Sequence, residues 1–335
     1  MTSRISKSLR RQLSGAYELT VCAVLILLAC GVSAVMPLQA QQPAAPPSTS
    51  TWICTLKLDT DGDGDGDSET SHRQPLPQSV TGIRSLAVSA NTSQIALHSD
   101  GGPKSTNPRI LIVSADGTDL KDIGRGTAPD WSPRGGRLLV TTETSETGVW
   151  IIRADGSDRQ LIDAAGSAAA WSPDGLEIAY VRSLNGRADL VIFNLAELEF
   201  RGIRVPEVSV CRSTRQLAWS PDSSRVAYYG ETMMGEWQLA TVTVNGKSEV
   251  DIVLRSAADT VRDLCWPEDS RLVAAMDSAD QHRTQLFVIP VPGRNTSSDG
   301  QDGRPVRIRA QFTDRNNLAV AVSRSGGVIC YISGP

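Results

Sequence analysis

The chain has 335 residues, of which 40% are apolar and 5% aromatic, and it carries a formal net charge of −4 at pH 7. This mild acidity argues against a nucleic-acid-binding protein, because such proteins need a basic face. The length fits one large domain or two ordinary ones, so the internal pattern of the sequence has to decide between them.

Residues 1–40 have the features of a targeting segment, with basic residues near the start and an apolar stretch over 21–36. Cleavage after Ala34 or Ala40 would remove it. A lipobox-like sequence that ends at Cys30 would instead put a lipid on that cysteine, and a third alternative keeps the segment as an uncleaved anchor. All three alternatives predict an extracytoplasmic protein, periplasmic or secreted, that meets the membrane only through this segment.

Residues 41–50 are rich in Pro, Ala and Ser and are predicted to form a flexible linker. The stretch Thr51–Asp59 follows, with the alternating pattern of a strand. We expect the folded part of the protein to begin there and to extend over residues 51–335.

An acidic run, Asp59–Asp67, comes next and is the segment of the sequence richest in metal-ligand residues. Its first half matches a calcium loop, because carboxylates at alternate positions and a glycine at the bend suit a hard cation. The twelfth position of such a loop holds a bidentate Glu, but here it is Thr70. The alternatives are a weak Ca²⁺ site and a solvated hairpin loop. Calcium is the only cofactor expected, and its ligands would be Asp59, Asp61, Asp63 and Asp65.

A short phrase recurs four times between residues 130 and 270, and an alternating apolar run follows each copy. The phrase is typified by Trp171-Ser172-Pro173-Asp174-Gly175, whose Pro, Asp and Gly favour a tight turn. A fixed period of 40–50 residues is typical of four-stranded propeller blades. We predict that the repeat tryptophans are core residues that fill the space between blades; they are Trp131, Trp171, Trp219 and Trp266.

Weaker copies of the pattern occur at residues 86–97 and 318–332, which brings the number of first-and-second strand pairs to six. The last pair lacks third and fourth strands, whereas the strand beginning at Thr51 lacks a first and second. Joining the two ends completes one blade and removes the free sheet edges. We therefore predict an all-β, six-bladed β-propeller whose last blade is closed by N-terminal and C-terminal strands.

The phrase W-S-P-D-G-x-x-I-A-Y, with A-D-G-T/S-x-x-x-x-L between its copies, resembles the WD40-like repeat of the TolB propeller family over most of residues 51–335. TolB carries a further α/β domain, which we do not expect here. The resemblance implies an envelope or periplasmic partner, such as a peptidoglycan-associated lipoprotein or a transported protein. Because the sequence offers a scaffold and no reactive set of residues, we expect a non-enzymatic, monomeric protein. The alternatives are a propeller enzyme acting on polysaccharide, as a lyase or hydrolase, and a small-ligand sensor.

Four cysteines lie outside the targeting segment, an even number in an oxidising compartment. An overlay of the repeats predicts that Cys54 and Cys330 face each other across the closing hairpin, where a disulfide would be worth about 4–5 kcal/mol in the entropy model. The alternative is two buried thiols that pack as small apolar groups. A second bridge, Cys211–Cys265, is a weaker prediction.

The three histidines, His72, His98 and His282, fall in different repeats, so we expect scattered surface residues and not a metal centre. No Ser/His/Asp set can be assigned, and the turn acids are expected to be structural. The insert Pro292–Arg304 is predicted to lengthen the loop between the third and fourth strands of blade five.

Overall fold

The computed structural model describes residues 50–57, 70–101, 107–142, 147–184, 187–203, 208–209, 217–232, 237–245, 248–256, 261–278, 283–291, 305–308, 311, 314–322 and 328–335. The targeting segment and the acidic run lie outside these residues. Within them, no helix is both long enough and apolar enough to cross a membrane.

The described strands form six antiparallel sheets, each corresponding to one blade. Blade one contains β3 (Ile83–Val88), β4 (Gln94–Ser99), β5 (Arg109–Ser114) and β6 (Lys121–Arg125). Blade two contains β7 (Thr127–Trp131), β8 (Arg137–Thr142), β9 (Gly148–Arg153) and β10 (Gln160–Asp163). Blade three contains β11 (Gly166–Trp171), β12 (Glu177–Leu184), β13 (Arg187–Asn194) and β14 (Glu199–Ile203).

Blade four contains β15 (Val208–Ser209), β16 (Leu217–Trp219), β17 (Arg225–Thr232), β18 (Trp237–Thr243) and β19 (Val250–Ser256). Its first strand is described in two pieces, β15 and β16, which both pair with β17. Blade five contains β20 (Val261–Glu268), β21 (Arg271–Ser278), β22 (Arg283–Pro290) and β23 (Val306–Arg307). Blade six contains β24 (Asn316–Val322), β25 (Val328–Gly334), β1 (Trp52–Lys57) and β2 (Thr70–Pro75).

Blade six joins the two ends of the polypeptide. Its strand order is β2-β1-β25-β24, and β1 pairs with β25 from Trp52 opposite Ser333 to Lys57 opposite Val328. The predicted all-β, six-bladed propeller and its closure by strands from both ends are therefore confirmed. Among the described residues, the strand ladders lie within single blades, so neighbouring blades contact each other through packed side chains and a few polar links.

The core consists of six apolar clusters, and each cluster lies between two neighbouring blades. Alternate side chains of a blade point to its two faces, so one blade takes part in two clusters. The repeat tryptophans are buried in four different clusters; Trp131 is 2%, Trp171 6%, Trp219 5% and Trp266 3% exposed.

The repeated phrase forms the turn between the first and second strands. In blade three, the Ser172 carbonyl accepts a hydrogen bond from the Gly175 N–H at 2.9 Å, and Gly175 has a φ of +73°. The Asp174 carboxylate folds back into the turn and accepts from the Leu176 N–H at 2.9 Å and the Ser172 hydroxyl at 2.6 Å. The phrase therefore specifies a turn that satisfies its own polar groups.

The predicted facing of Cys54 and Cys330 is wrong by one residue. Cys54 lies opposite Tyr331, and Cys330 lies opposite Thr55. A shift of one residue moves a side chain to the other face of a sheet, so the two cysteines lie in different clusters. Both are buried free thiols in this structure, and the predicted disulfide is not formed. Burial raises the thiol pKa of Cys54 to about 11 and that of Cys330 to about 12.

Candidate functional site

The turns after the first and third strands of each blade lie on the same face of the ring, because consecutive strands run in opposite directions. We call this the turn face. In blade two these turns follow Trp131 and Arg153, and in blade three they follow Trp171 and Asn194. The turn face therefore brings together repeat turns that are about 40 residues apart in the sequence.

A groove of about 550 Å³ opens on the turn face at the boundary between blades two and three. We call it the 2/3 groove. A Cβ placed on Gly175 would lie 3.2 Å from Pro133 Cγ and 3.5 Å from Arg134 Nε, so the first turn of blade two reaches over that of blade three. The groove is lined by Ser132, Arg134, Gly135, Gly136, Arg137, Arg153, Trp171, Gly175, Leu176, Leu195 and Ala196.

The charge of the groove lining is positive. Arg137 and Arg153 both donate to one carboxylate, Asp158 Oδ2, at 2.9 and 3.3 Å. The guanidinium of Arg134 has no hydrogen bond or ion pair among the described residues. Two carboxylates, Asp158 and the turn residue Asp155, therefore lie close to Arg137 and Arg153, and the excess positive charge of the lining belongs to Arg134, which is exposed.

The first turn of blade two departs from the repeat at Arg134. The equivalent residues in blades three and four, Asp174 and Asp222, accept hydrogen bonds from the amide two residues further on and from the turn serine. In blade one Asn91 does the same, through the Ser93 N–H at 3.2 Å and the Ser89 hydroxyl at 2.9 Å. Arginine offers no acceptor. The equivalent amide, the Gly136 N–H, has no acceptor within the part of the protein that the structure describes.

Asp163, at the end of β10, also links blades two and three, on the face of the ring opposite the turn face. Asp163 Oδ2 accepts from the Tyr180 hydroxyl at 2.7 Å and from Arg182 Nε at 2.5 Å, and Oδ1 accepts from the Ala165 N–H at 2.9 Å. Burial alone would raise the pKa of Asp163, but these hydrogen bonds outweigh it and lower the pKa. The groove therefore lies beside a fixed boundary.

Buried polar links also join the first strands of neighbouring blades. Asp130 Oδ2 accepts from the Trp171 N–H at 2.7 Å, and the indole N–H of Trp219 donates to the Ala170 carbonyl at 3.1 Å. Asp263, which is fully buried, accepts from the Val320 N–H at 3.1 Å. These links fix the angle between blades, so the walls of the groove are preorganised.

The predicted calcium ligands Asp59, Asp61, Asp63 and Asp65 lie outside the described residues. Elsewhere, the described ranges hold no group of three or more His, Cys, Asp and Glu side chains that could bind a metal. His282 and Cys211 also fall outside them, as does the side chain of His72.

The prediction that the histidines are surface residues is wrong for His98, which is 2% exposed. Its Nε2 lies 3.0 Å from Asp100 Oδ1, where β4 ends. Burial lowers the pKa of His98, and the neighbouring Asp100 opposes this effect only in part. His98 lies on an inner strand of blade one, away from the groove.

Sequence reasoning missed the 2/3 groove. The signal was present, because Arg134 stands in the third position of a turn that carries Asn91 in blade one, Asp174 in blade three and Asp222 in blade four. The meaning of this arginine depends on two facts that only the structure supplies. An aspartate at this position folds back into its own turn, as Asp174 does, and Arg137 and Arg153 line the same groove as Arg134.

No protein-family model matches the sequence, and no curated protein matches it. Among solved structures, the protein is similar to a putative TolB from Agrobacterium tumefaciens, with 16% identity and a TM-score of 0.58 over 86% of this chain and 100% of that one. It is also similar to a gluconolactonase from Xanthomonas campestris, with 12% identity and a TM-score of 0.56 over 88% and 99%.

A third similar structure is TolB from Acinetobacter baumannii, with 14% identity and a TM-score of 0.54 over 73% of this chain. The match spans 62% of the length of that protein. At these identities the likeness shows the fold, a six-bladed propeller shared by proteins with different activities.

Proposed function

We propose that this protein is an extracytoplasmic, non-catalytic scaffold that binds a protein partner of the cell envelope through the turn face. The observation that carries the proposal is the 2/3 groove, a preformed and solvent-open cleft with a positive lining. Binding sites on rigid scaffolds are commonly built from loops at one end of the fold, as this groove is.

The composition of the groove favours binding over bond cleavage. Its lining offers guanidinium groups, glycine backbone and a single hydroxyl, that of Ser132. Arg137 and Arg153 are tied to Asp158, which suits them to hold a ligand in one orientation. Cleaving a polysaccharide needs an acid, a base or a metal beside the bond, and the described lining supplies cations instead.

The repeat pattern and the targeting segment support the proposed location of the protein in the cell envelope. The W-S-P-D-G phrase resembles that of TolB propellers, and residues 1–40 have the composition of an export signal. We therefore propose that the propeller works outside the cytoplasm as a TolB-like member of the envelope. A fusion of alkaline phosphatase after Pro335 tests this location, because that enzyme is active only after export; an inactive fusion contradicts it.

Site-specific photo-crosslinking in intact cells tests the partner. A benzoyl-phenylalanine at Leu176, which is 47% exposed in the groove wall, is expected to give one discrete adduct with an envelope protein. The matched control is Ile252, which is 41% exposed on the outer strand of blade four and is expected to give none. The proposal fails if position 176 gives no specific adduct, or if both positions give the same adducts.

A further inference from the structure

Three of the repeat turns carry a built-in acceptor: Asn91 in blade one, Asp174 in blade three and Asp222 in blade four. In blade four, Asp222 Oδ1 accepts from the Ser220 hydroxyl at 2.6 Å and from the Ser224 N–H at 3.0 Å. The turn backbone is therefore shaped to hold a carboxylate between an amide and a hydroxyl.

That turn favours the ionised form of the carboxylate. Burial alone would raise the pKa of Asp222, but hydrogen bonds from Ser220 and Ser224 outweigh it and lower the pKa. The same donors exist in blade two as the Ser132 hydroxyl and the Gly136 N–H. A negative group bound there would therefore meet donors that elsewhere in the ring serve an aspartate.

Blade two replaces that aspartate by a guanidinium. Gly136 is exposed, with a φ of +71°, and a Cβ placed on it would have no neighbour within 4 Å, so its backbone is open to an incoming group. Arg134, Arg137 and Arg153 line the same groove. The blade-two turn thus combines the hydrogen-bond donors of a carboxylate site with excess positive charge.

We propose that the 2/3 groove is a receptor for a carboxylate of the partner protein, which takes the place that Asp174 and Asp222 occupy in their own turns. This inference deepens the proposed function and rests on it. The carboxylate comes from an acidic side chain or from the free C-terminus of a polypeptide. It accepts from the Gly136 N–H, while the guanidinium groups neutralise its charge.

The walls of the groove favour a peptide over an acidic sugar. Leu176, Leu195 and Ala196 give the blade-three wall an apolar surface that suits aliphatic residues beside the acidic one. Sugar sites commonly use an exposed aromatic face, but the one aromatic residue in the lining, Trp171, is 6% exposed. The ligand class is therefore an acidic residue flanked by apolar residues.

Calorimetric titration of the full-length protein, purified in mild detergent, tests the inference with defined probes. The probes are the amidated peptide acetyl-ALELA, its glutamine analogue acetyl-ALQLA, the glutamine analogue with a free C-terminus, and digalacturonate. We expect at least one carboxylate peptide to bind 10-fold or more tightly than the amidated glutamine analogue. The two carboxylate peptides distinguish a side-chain source from a C-terminal one. Equal affinities for all three peptides, or tighter binding of digalacturonate, would overturn the assignment.

Variants at position 134 separate binding from folding. Arg134→Asp restores the repeat and supplies the turn with its own acceptor, so we expect at least a 10-fold loss of peptide affinity with an equal or higher thermal midpoint. Arg134→Leu removes the charge without giving the turn an acceptor and is expected to weaken binding without raising the midpoint. The charge-matched control is Arg255→Asp, on the exposed outer strand β19, which leaves affinity unchanged. Wild-type affinity in Arg134→Asp contradicts the inference.

The two proposals can fail separately. If the Leu176 crosslinker captures the same envelope protein in the wild-type and Arg134→Asp backgrounds, the scaffold function stands and the carboxylate receptor does not. If the peptides bind in an Arg134-dependent way but no envelope protein is captured, the receptor chemistry stands and the envelope function does not.

Discussion

The ring has two neighbouring boundaries, one between blades two and three and one between blades three and four. Both are built from the same repeat, but the contacts between their turns differ at the turn face. At the 3/4 boundary, the Asp174 N–H donates to the Ser223 hydroxyl of the next turn at 3.2 Å. At the 2/3 boundary, the side chain of Arg134 crosses to Gly175 and a groove stays open beside it.

This difference shows how a repeat protein acquires a site without changing its core. The clusters under both boundaries are filled by equivalent residues, with Trp171 under one and Trp219 under the other. Two turn residues differ at the surface, with Arg134 at the position of Asp174 and Gly175 at the position of Ser223, while a repeat tryptophan is buried below each boundary. Mutations that remove the packing and mutations that exchange the turn residues should therefore separate stability from binding.

The largest expected effect comes from the tryptophans under the two boundaries. Trp171→Ala and Trp219→Ala should each lower the free energy of unfolding by about 3–5 kcal/mol, because each leaves a large cavity. Trp219→Phe should lower the free energy of unfolding by about 1 kcal/mol more than Trp171→Phe, since of these two indoles only that of Trp219 donates a hydrogen bond within the described residues. Urea unfolding measures both pairs. Equal losses in the two Phe variants would show that the 3/4 boundary gains nothing from this bond.

The second-largest effect is expected at Asp163, whose side chain links blades two and three on the face of the ring opposite the turn face. Asp163→Asn should lower the free energy of unfolding at pH 7 by about 1–3 kcal/mol, because it weakens charge-assisted bonds from Tyr180 and Arg182. The pKa of Asp163 is lower in the folded state than its unfolded value of about 3.9. Its contribution is therefore complete above the unfolded pKa and is lost as the pH falls below it. The wild type should converge on Asp163→Asn as the pH falls below about 4, measured by urea unfolding at each pH. A difference that persists undiminished below about pH 3 contradicts this.

Exchanging the turn residues has a smaller effect on stability. Asp174→Ala should cost about 1–2 kcal/mol, because the Leu176 N–H and the Ser172 hydroxyl lose their acceptor. Arg134→Ala should be close to neutral, since its guanidinium has no partner in the described ranges. Thermal unfolding of the two single variants measures the contrast. If Arg134→Ala is as damaging as Asp174→Ala, the arginine is a structural part of the blade-two turn.

The smallest expected effect concerns the closure of the ring, where β1 pairs with β25 within blade six. Cys54 and Cys330 are buried on opposite faces of blade six and their thiol pKa values are raised, so both should stay reduced and unreactive in the native state. Alkylation of the unfolded, non-reduced protein followed by mass spectrometry should label both residues. A thermal midpoint that falls on addition of reductant would show that a disulfide does stabilise the closure.

The sequence alone determined the number of blades, the strand order and the closure of the ring. These follow from local patterns, because the period of the phrase sets the blade and the turn residues set the hairpins. The unmatched strand at Thr51 supplied the missing part of blade six, which β1 and β2 fill.

The tertiary structure decided which side chains meet. Cys54 and Cys330 were placed in the right strands, but a register difference of one residue puts them on opposite faces. His98 is buried because its strand lies inside the blade, which its neighbours in the sequence do not reveal. The 2/3 groove joins residues about 40 positions apart in the sequence, and only the packing of one blade against the next brings Arg134 to Gly175. Local periodicity fixes a repeat fold, whereas a site between repeats depends on the contacts that the fold creates.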